Sequence, residues 1–294
     1  MSNEVSMTFE AIWKTGPRSH FLEGPAISPD GQKVYFTDLW PGKVYSLPLN
    51  DLHADPELVH CFAPYRCNGL QFLSHEKKKI AVCVWKGNQL NPYSRTGAMF
   101  TLDLDESNPT PTTEREPCTL ASGFKWPNDL AITPAGGIYF TDFAEGLVYY
   151  LSPGSKSACI VLDKLSKPNG IELQCDSEHA TVLFVAESGE NRVRRYEIKR
   201  PGKVIETSSP YQFEDKTRVD GLALNSDGIL LVAEKSAVYA LNATNLTAVG
   251  CEPLRKTDAP VPSNICFMPD GSFIVTSYKF FKCTKAELFH GKFS

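Results

Sequence analysis

The stretch NDLAITPAG (128–136) holds the pattern that decides the fold: a polar lead residue, apolar residues at alternate positions, then a Pro/Gly turn. The same pattern recurs as EGPAISPDG (23–31), NGLQFLSHE (68–76), NGIELQCDS (169–177), DGLALNSDG (220–228) and SNICFMPDG (263–271). The six lead positions are 45, 60, 41, 51 and 43 residues apart. Recurrence at roughly 20–50 residues is the mark of a repeat architecture. Within each copy the apolar side chains fall at every second place, as in Leu130 and Ile132 or Leu222 and Leu224. Period two is the strand signature, because successive side chains point to opposite faces.

Outward from each copy the reading repeats. Turns such as SPDG (28–31), NSDG (225–228) and MPDG (268–271) lead into second strands rich in β-branched and aromatic residues: KVYFTDL, KIAVCVW, GIYFTDF, TVLFVAE, ILLVAEK and SFIVTSY. A third strand follows, clearest in GKVYSL (42–47), GLVYYL (146–151), NRVRRYEI (191–198) and AVYAL (237–241). Antiparallel units of this size, arranged radially, make a β-propeller of about 4–8 four-stranded blades. Six repeats predict an all-β, six-bladed propeller occupying residues 1–294 as one domain. The first strand of each blade would line the central channel, placing the six lead residues in a ring at its mouth. TFEAIW (8–13) and IVTSYKF (274–280) are expected to share the last blade and close the circle.

Composition narrows the classes. The chain has 294 residues, 42% of them hydrophobic, and a net charge of −4. No basic stripe is present, which argues against a nucleic-acid partner. No apolar run reaches membrane-spanning length, and the start MSNEVSMTFEAIWKTG lacks the apolar core of a secretory signal. Nine cysteines without a CxxC pair read as buried reduced thiols, with Cys83, Cys159 and Cys266 in or near apolar strand patterns. The sequons at Asn242 and Asn245 then read as chance matches. A cytoplasmic protein, monomeric or weakly dimeric, acting on a small molecule is the expectation. SNPTPTTEREP (107–117) is expected as a surface loop, and RVRRYEIKR (192–200) as a solvated strand face.

The lead residues are Glu23, Asn68, Asn128, Asn169, Asp220 and Ser263, all with side-chain oxygens. Glu23, Asn128, Asn169 and Asp220 together offer two carboxylates and two amide oxygens. Calcium takes about 6–8 oxygen ligands in flexible geometry, so such a ring would leave positions open for water or substrate. The absence of His and Cys from the set disfavours zinc and copper. Without an ion, two facing carboxylates would repel and raise a pKa. Asn-Gly and Asp-Gly are also ordinary turn formers, and a repeated chain reversal is the competing explanation. Glu23 before Gly-Pro fits that explanation poorly.

EGP (23–25), PND (127–129), PNG (168–170) and DG (220–221), in that order and spacing, resemble the senescence marker protein/gluconolactonase/luciferin-regenerating-enzyme family, which includes regucalcin and is related to squid diisopropyl fluorophosphatase. The resemblance implies a six-bladed propeller with one divalent ion in the channel, usually Ca2+, with Zn2+, Mg2+ or Mn2+ as substitutes. Carried over by position, it makes Glu23, Asn169 and Asp220 metal ligands, Asn128 a fourth ligand or a substrate contact, and Asp220 the general base or nucleophile. Ser263 and Asn264 resemble a channel-facing polar pair; Asn68, Trp126 and Asp129 complete the expected substrate contacts. Sugar lactonases of the family carry Arg where this chain has Trp126, so the substrate is expected to be more apolar. Ala223 stands where the squid enzyme has an acidic ligand of a second calcium, so that site is not expected.

The expected activity is metal-dependent lactone hydrolysis. Phosphotriester hydrolysis, or calcium binding without turnover, are the alternatives. Trp40, Trp85 and Tyr93 are further rim candidates, and His20, three residues before Glu23, is a candidate to overhang the site.

Overall fold

The computed structural model describes residues 5–15, 20–74, 76, 78–87, 94–105, 107, 110, 112–213, 218–255, 260–279 and 286–294. Twenty-five strands form six antiparallel sheets, one per repeat. Blade 1 runs outward through Leu22–Ile27, Lys33–Asp38, Lys43–Pro48 and Glu57–Cys61. The inner strands of blades 2 to 6 are Arg66–Phe72, Pro127–Ile132, Pro168–Cys175, Val219–Leu224 and Val261–Phe267. Blade 4 gains a short fifth strand, Tyr211–Gln212. The expected six-bladed all-β propeller is therefore present.

Closure is made in blade 6. Met7–Lys14 pairs with Glu287–Phe293, which pairs with Phe273–Tyr278 and so with the inner strand. The N-terminal segment thus supplies the outermost strand of the last blade. The sequence patterns missed Glu287–Phe293, the strand between the two expected partners.

The core lies between blades. Six apolar clusters occupy the six seams, and the second strand of a blade feeds two of them. Ile80, Val82 and Val84 pack toward blade 1, whereas Ala81 and Cys83 pack toward blade 3. Leu183 and Val185 face one seam, and Val182, Phe184 and Ala186 the next. Burial on both faces explains why these strands read as continuous apolar runs rather than as alternating ones. Truncating a fully buried aromatic such as Phe184 to Ala would cost about 3–5 kcal/mol.

Each inner strand breaks register at its lead motif. Ladder shifts occur between Glu23 and Ala26, Cys67 and Leu70, Pro127 and Leu130, Pro168 and Ile171, Val219 and Leu222, and Pro262 and Asn264. A β-bulge bends its strand and re-aims a side chain. Here the bulges turn five of the six lead residues to one end of the channel, Ser263 being the exception. Close approach dictates the residue that follows. A Cβ on Gly170 would lie 2.3 Å from the Asp220 carbonyl oxygen, and one on Gly24, whose φ is +44°, 2.6 Å from Gly69 Cα. The layer beneath the lead ring is therefore Gly24, Gly69, Asp129, Gly170, Gly221 and Asn264.

Among the described cysteines no disulfide forms. Cys67 and Cys83 are buried, and Cys266 partly so, but Cys159 is exposed, contrary to the sequence expectation, because its strand Ala158–Leu162 is the outer edge of blade 3. The basic stretch is also less simply solvated than expected: Arg192 and Arg194 pair with the buried Glu187, and Arg194 also with Glu206. Among the described residues no helix is long and apolar enough to cross a membrane.

Candidate functional site

A cavity of about 290 Å3 opens at the lead-residue end of the channel. Its floor is Glu23, Asn68, Asn128, Asn169 and Asp220; its walls are Phe21, Leu39, Trp40, Trp85, Trp126 and Phe143, with Arg95 and Arg218. Five of the six lead residues are thus brought together. Glu23 and Asp220 are only 4% exposed each. Burial pushes the carboxyl of Glu23 well above its ordinary range, and the charges of Asp220 and Asp129 push it further. Burial likewise raises Asp220, opposed by Arg218 and by the Asn169 amide and aided by Asp129.

The amides are oriented by neighbours that can act in only one sense. The Ser188 hydroxyl donates to the Val219 carbonyl at 2.5 Å, so toward Asn169 it can only accept, and Asn169 Nδ2 donates to it at 3.0 Å. That fixes the amide with Oδ1 turned away from Ser188. Asn68 is set the opposite way. Its Oδ1 accepts from Trp85 Nε1 at 2.7 Å and Trp126 Nε1 at 3.1 Å, and an indole N–H can only donate. Both lone pairs of that oxygen are engaged, leaving Nδ2 as the group Asn68 has for a ligand. Asn128 is 6% exposed and lines the cavity.

Two carboxylates beside two amide side chains, Asn128 and Asn169, offer hard oxygen donors of the kind a divalent cation takes, and such an ion would neutralise the buried charge. These residues fit such an ion; Asn68, its oxygen occupied, does not join them. Among the described residues no three His, Cys, Asp or Glu side chains converge as a metal cluster, consistent with a set that is half amide.

Three expected substrate contacts lie elsewhere. Asp129 and Asn264 line a separate cavity of about 280 Å3 at the opposite end of the channel, with Gln71 and Glu172. They meet across the axis, Asn264 Nδ2 donating to Asp129 Oδ2 at 3.3 Å, while Asp129 Oδ1 accepts from the Leu130 amide at 2.9 Å. Burial lifts Asp129 to about 6 and Glu172 to about 7. The bulge explains the placement: one residue beyond the lead, the side chain points inward and down. Ser263 is fully buried; its hydroxyl donates to the Leu22 carbonyl at 2.5 Å, latching blade 6 to blade 1. Thr37 and Thr141 make the corresponding links to the carbonyls of Asn68 and Asn169, at 2.8 and 2.7 Å. His20 pairs with Asp38 and is not part of the cavity lining, and Tyr93 lies outside the described residues.

Sequence reading missed a set of supporting acids. Asp142 accepts from the backbone N–H groups of Lys125 at 2.8 Å and Trp126 at 3.1 Å, and so sets the strand entry two residues before Asn128. Asp38 does the same for Phe21 at 3.1 Å, and Glu187 for Ser166 at 2.8 Å. The signal was present as the recurring acid that ends the second strands in FTD, FTD and VAE. Ser188 and Arg95 carried no comparable signal.

Relatives bear on the same geometry. Lactonase drp35 of Staphylococcus saprophyticus is 27% identical over 224 residues, 72% of this chain, and the match spans 63% of that protein's length. A gluconolactonase from Xanthomonas campestris superposes with a TM-score of 0.73 over 100% of this chain and 92% of its own, at 16% identity. A calcium-binding regucalcin from Agrobacterium tumefaciens gives a TM-score of 0.66 at 16% identity, covering 94% of this chain and 90% of its own. At such identities the structural matches speak for the fold. The family model described as the SMP-30/Gluconolactonase/LRE-like region matches residues 102–279, and the chain belongs to that family.

Proposed function

We propose that this protein is a lactonase that opens a cyclic ester over a divalent ion, calcium foremost, held by Glu23, Asn128, Asn169 and Asp220. The observation that carries the reading is the convergence of two deeply buried carboxylates with two amides at the floor of a ligand-sized cavity. Likeness to lactonase drp35 and to the gluconolactonase fold supports the reaction class, and likeness to regucalcin supports the ion. When bound, the ion would polarise the ester carbonyl and stabilise the charge that develops on its oxygen, worth several kcal/mol.

The chain's own residues do the rest. Asp220 takes a proton from water as the water oxygen attacks the acyl carbon. Direct attack by the carboxylate would build an anhydride, a more reactive acyl compound than the ester consumed, so water activation is the easier course. The proton then passes to the departing ring oxygen, and the product is the hydroxy acid. Asn68, held by its two indoles, donates Nδ2–H to a substrate oxygen. Trp126 and the neighbouring aromatic walls exclude water from around the ring. The remaining features fit a cytoplasmic protein with free thiols that acts on small molecules as a monomer or weak dimer.

The test is to strip the protein of metal, restore individual divalent ions, and screen lactones beside organophosphates. Ion-dependent lactone opening is expected. Turnover of phosphotriesters alone would assign the phosphotriesterase chemistry, and tight calcium binding with no turnover across the panel would assign a binding protein.

A further inference from the structure

Three strand ends converge on the Asn68 amide. Asn68 lies in the inner strand of blade 2, Arg66–Phe72, Trp85 near the end of the next strand, Lys79–Lys86, and Trp126 one residue before the inner strand of blade 3, Pro127–Ile132. Both indoles donate to the one oxygen, Trp85 Nε1 at 2.7 Å and Trp126 Nε1 at 3.1 Å. The rings are themselves held. Trp85 is fully buried, and its centroid lies 4.7 Å from that of Trp126. The guanidinium carbon of Arg95 sits 4.9 Å from the Trp85 ring and 4.0 Å from the Trp126 ring. Arg95 lies within reach of the Asp142 charge, and Asp142 accepts from the Trp126 backbone N–H at 3.1 Å. Arg66 covers Trp85 at 5.0 Å.

An asparagine can ordinarily turn either end of its amide to a ligand, because a half-turn exchanges oxygen and nitrogen. Here a half-turn would set an NH2 group against two indole N–H groups, donor against donor. The amide is therefore locked as a donor toward the cavity that Asn68 lines. A donor fixed before the ligand arrives needs no reorganisation during reaction, and such groups act where negative charge develops. An ester presents two oxygens. On the lactonase reading the carbonyl oxygen is taken by the ion, which leaves the ring oxygen for Asn68. That oxygen gathers negative charge as its bond to the acyl carbon breaks.

Resting on the lactonase reading, we propose that Asn68 is a catalytic residue that stabilises the departing ring oxygen, and that Trp85, Trp126 and Arg95 are positioning residues that hold it to that task. The water oxygen bonds to the acyl carbon. The bond from acyl carbon to ring oxygen breaks, its electron pair goes to the ring oxygen, and the proton taken up by Asp220 neutralises it. Asn68 lends a hydrogen bond and keeps its own proton.

The experiment uses the calcium-loaded protein and two δ-lactones. One is saturated and expels an alkoxide; the other is benzo-fused and expels a phenoxide, a better leaving group that needs less help. Asn68→Asp keeps an acceptor for both indoles and loses the N–H. We expect it to lower kcat about 100-fold on the saturated lactone, the usual loss for one such donor, and only about tenfold on the benzo-fused one. Trp85→Phe leaves Asn68 in place and removes one of the groups that aim it, and should shift the ratio of the two rates the same way by about threefold. Equal losses on the two lactones would mark a merely structural role and overturn the proposal. Binding is read separately on metal-stripped protein by quenching of tryptophan fluorescence, since three of the four tryptophans line the cavity. The probes are chroman and tetralin, which differ by one oxygen in place of a ring methylene. We expect chroman to bind wild type about fivefold more tightly, the size of one neutral hydrogen bond, and Asn68→Asp to erase that margin. Equal binding of the two probes to wild type would refute the donor role. If wild type hydrolyses neither lactone, the lactonase reading fails, and the chroman margin still decides whether Asn68 is a fixed donor.

Discussion

Ser188→Ala tests whether the ring is a prepared ion site. The hydroxyl satisfies two buried groups, the Val219 carbonyl at 2.5 Å and Asn169 Nδ2 at 3.0 Å. A buried polar group left unpaired costs about 1–3 kcal/mol, so the pair should cost roughly 2–6 kcal/mol. Unfolding entropy near 2.1 cal/mol/K per residue gives about 0.6 kcal/mol/K for a chain of this length, and the ion-free melting temperature should fall by roughly 3–10 °C. The second effect is specific. Without Ser188 the Asn169 amide keeps only its contact with Asp220, and loss of a residue that orients a ligand typically weakens metal binding about 10–100-fold. The assay is calorimetric titration of metal-stripped protein with Ca2+, paired with thermal unfolding with and without the ion. Ser188→Thr, which keeps the hydroxyl, should recover most of the affinity. A calcium dissociation constant within twofold of wild type in Ser188→Ala would refute the claim that Asn169 is a positioned ligand, whatever happened to the melting temperature.

Asp220→Asn should keep the fold and lower kcat by about 10²–10⁴-fold, the usual contribution of a general base; near wild-type hydrolysis would remove Asp220 from the catalytic role. Calcium affinity should rise between pH 5 and 8, because the raised carboxyls of Glu23 and Asp220 hold protons that the ion must displace, and titrations at fixed ionic strength check this. The ion-free protein should show the linked stability term. The folded state of Asp129 binds its proton up to about pH 6 whereas the unfolded chain releases it near 4, so this contribution is full below about pH 4 and lost as pH rises through 6, measurable as a fall in melting temperature of the ion-free protein across that range. Gly170→Ala places a methyl group 2.3 Å from the Asp220 carbonyl oxygen and should destabilise by about 3 kcal/mol or more in denaturant unfolding.

The propeller was legible because each blade announces its inner strand with a bulge-forming pair such as Asn169-Gly170 and its second strand with an apolar run, both of which survive in one dimension. The strand Glu287–Phe293 escaped because it lies outside the repeated motif and takes its partner from the other end of the chain. Within the site, Glu23, Asn68, Asn128, Asn169 and Asp220 share one place in the repeat, and the repeat brings them together. Asp129 and Asn264 sit one residue later, and the bulge sends that position to the other cavity, a geometric consequence that the identity of the side chain does not reveal. Arg95 enters from the longest interval between repeats, 68–128, where no periodicity constrains what the chain presents. Asp142 was visible as a residue, but its partners are backbone N–H groups 16 and 17 positions earlier, and backbone donors leave no mark in a sequence.

The layer of Gly24, Gly69, Asp129, Gly170, Gly221 and Asn264 has a kinetic consequence. It lies between the two cavities, which among the described residues share no lining residue, so on the proposed reading substrate and product occupy the same chamber. On the lactonase reading, the opened hydroxy acid occupies the floor that the next lactone needs. Product inhibition should therefore be competitive, raising the apparent KM while leaving kcat untouched.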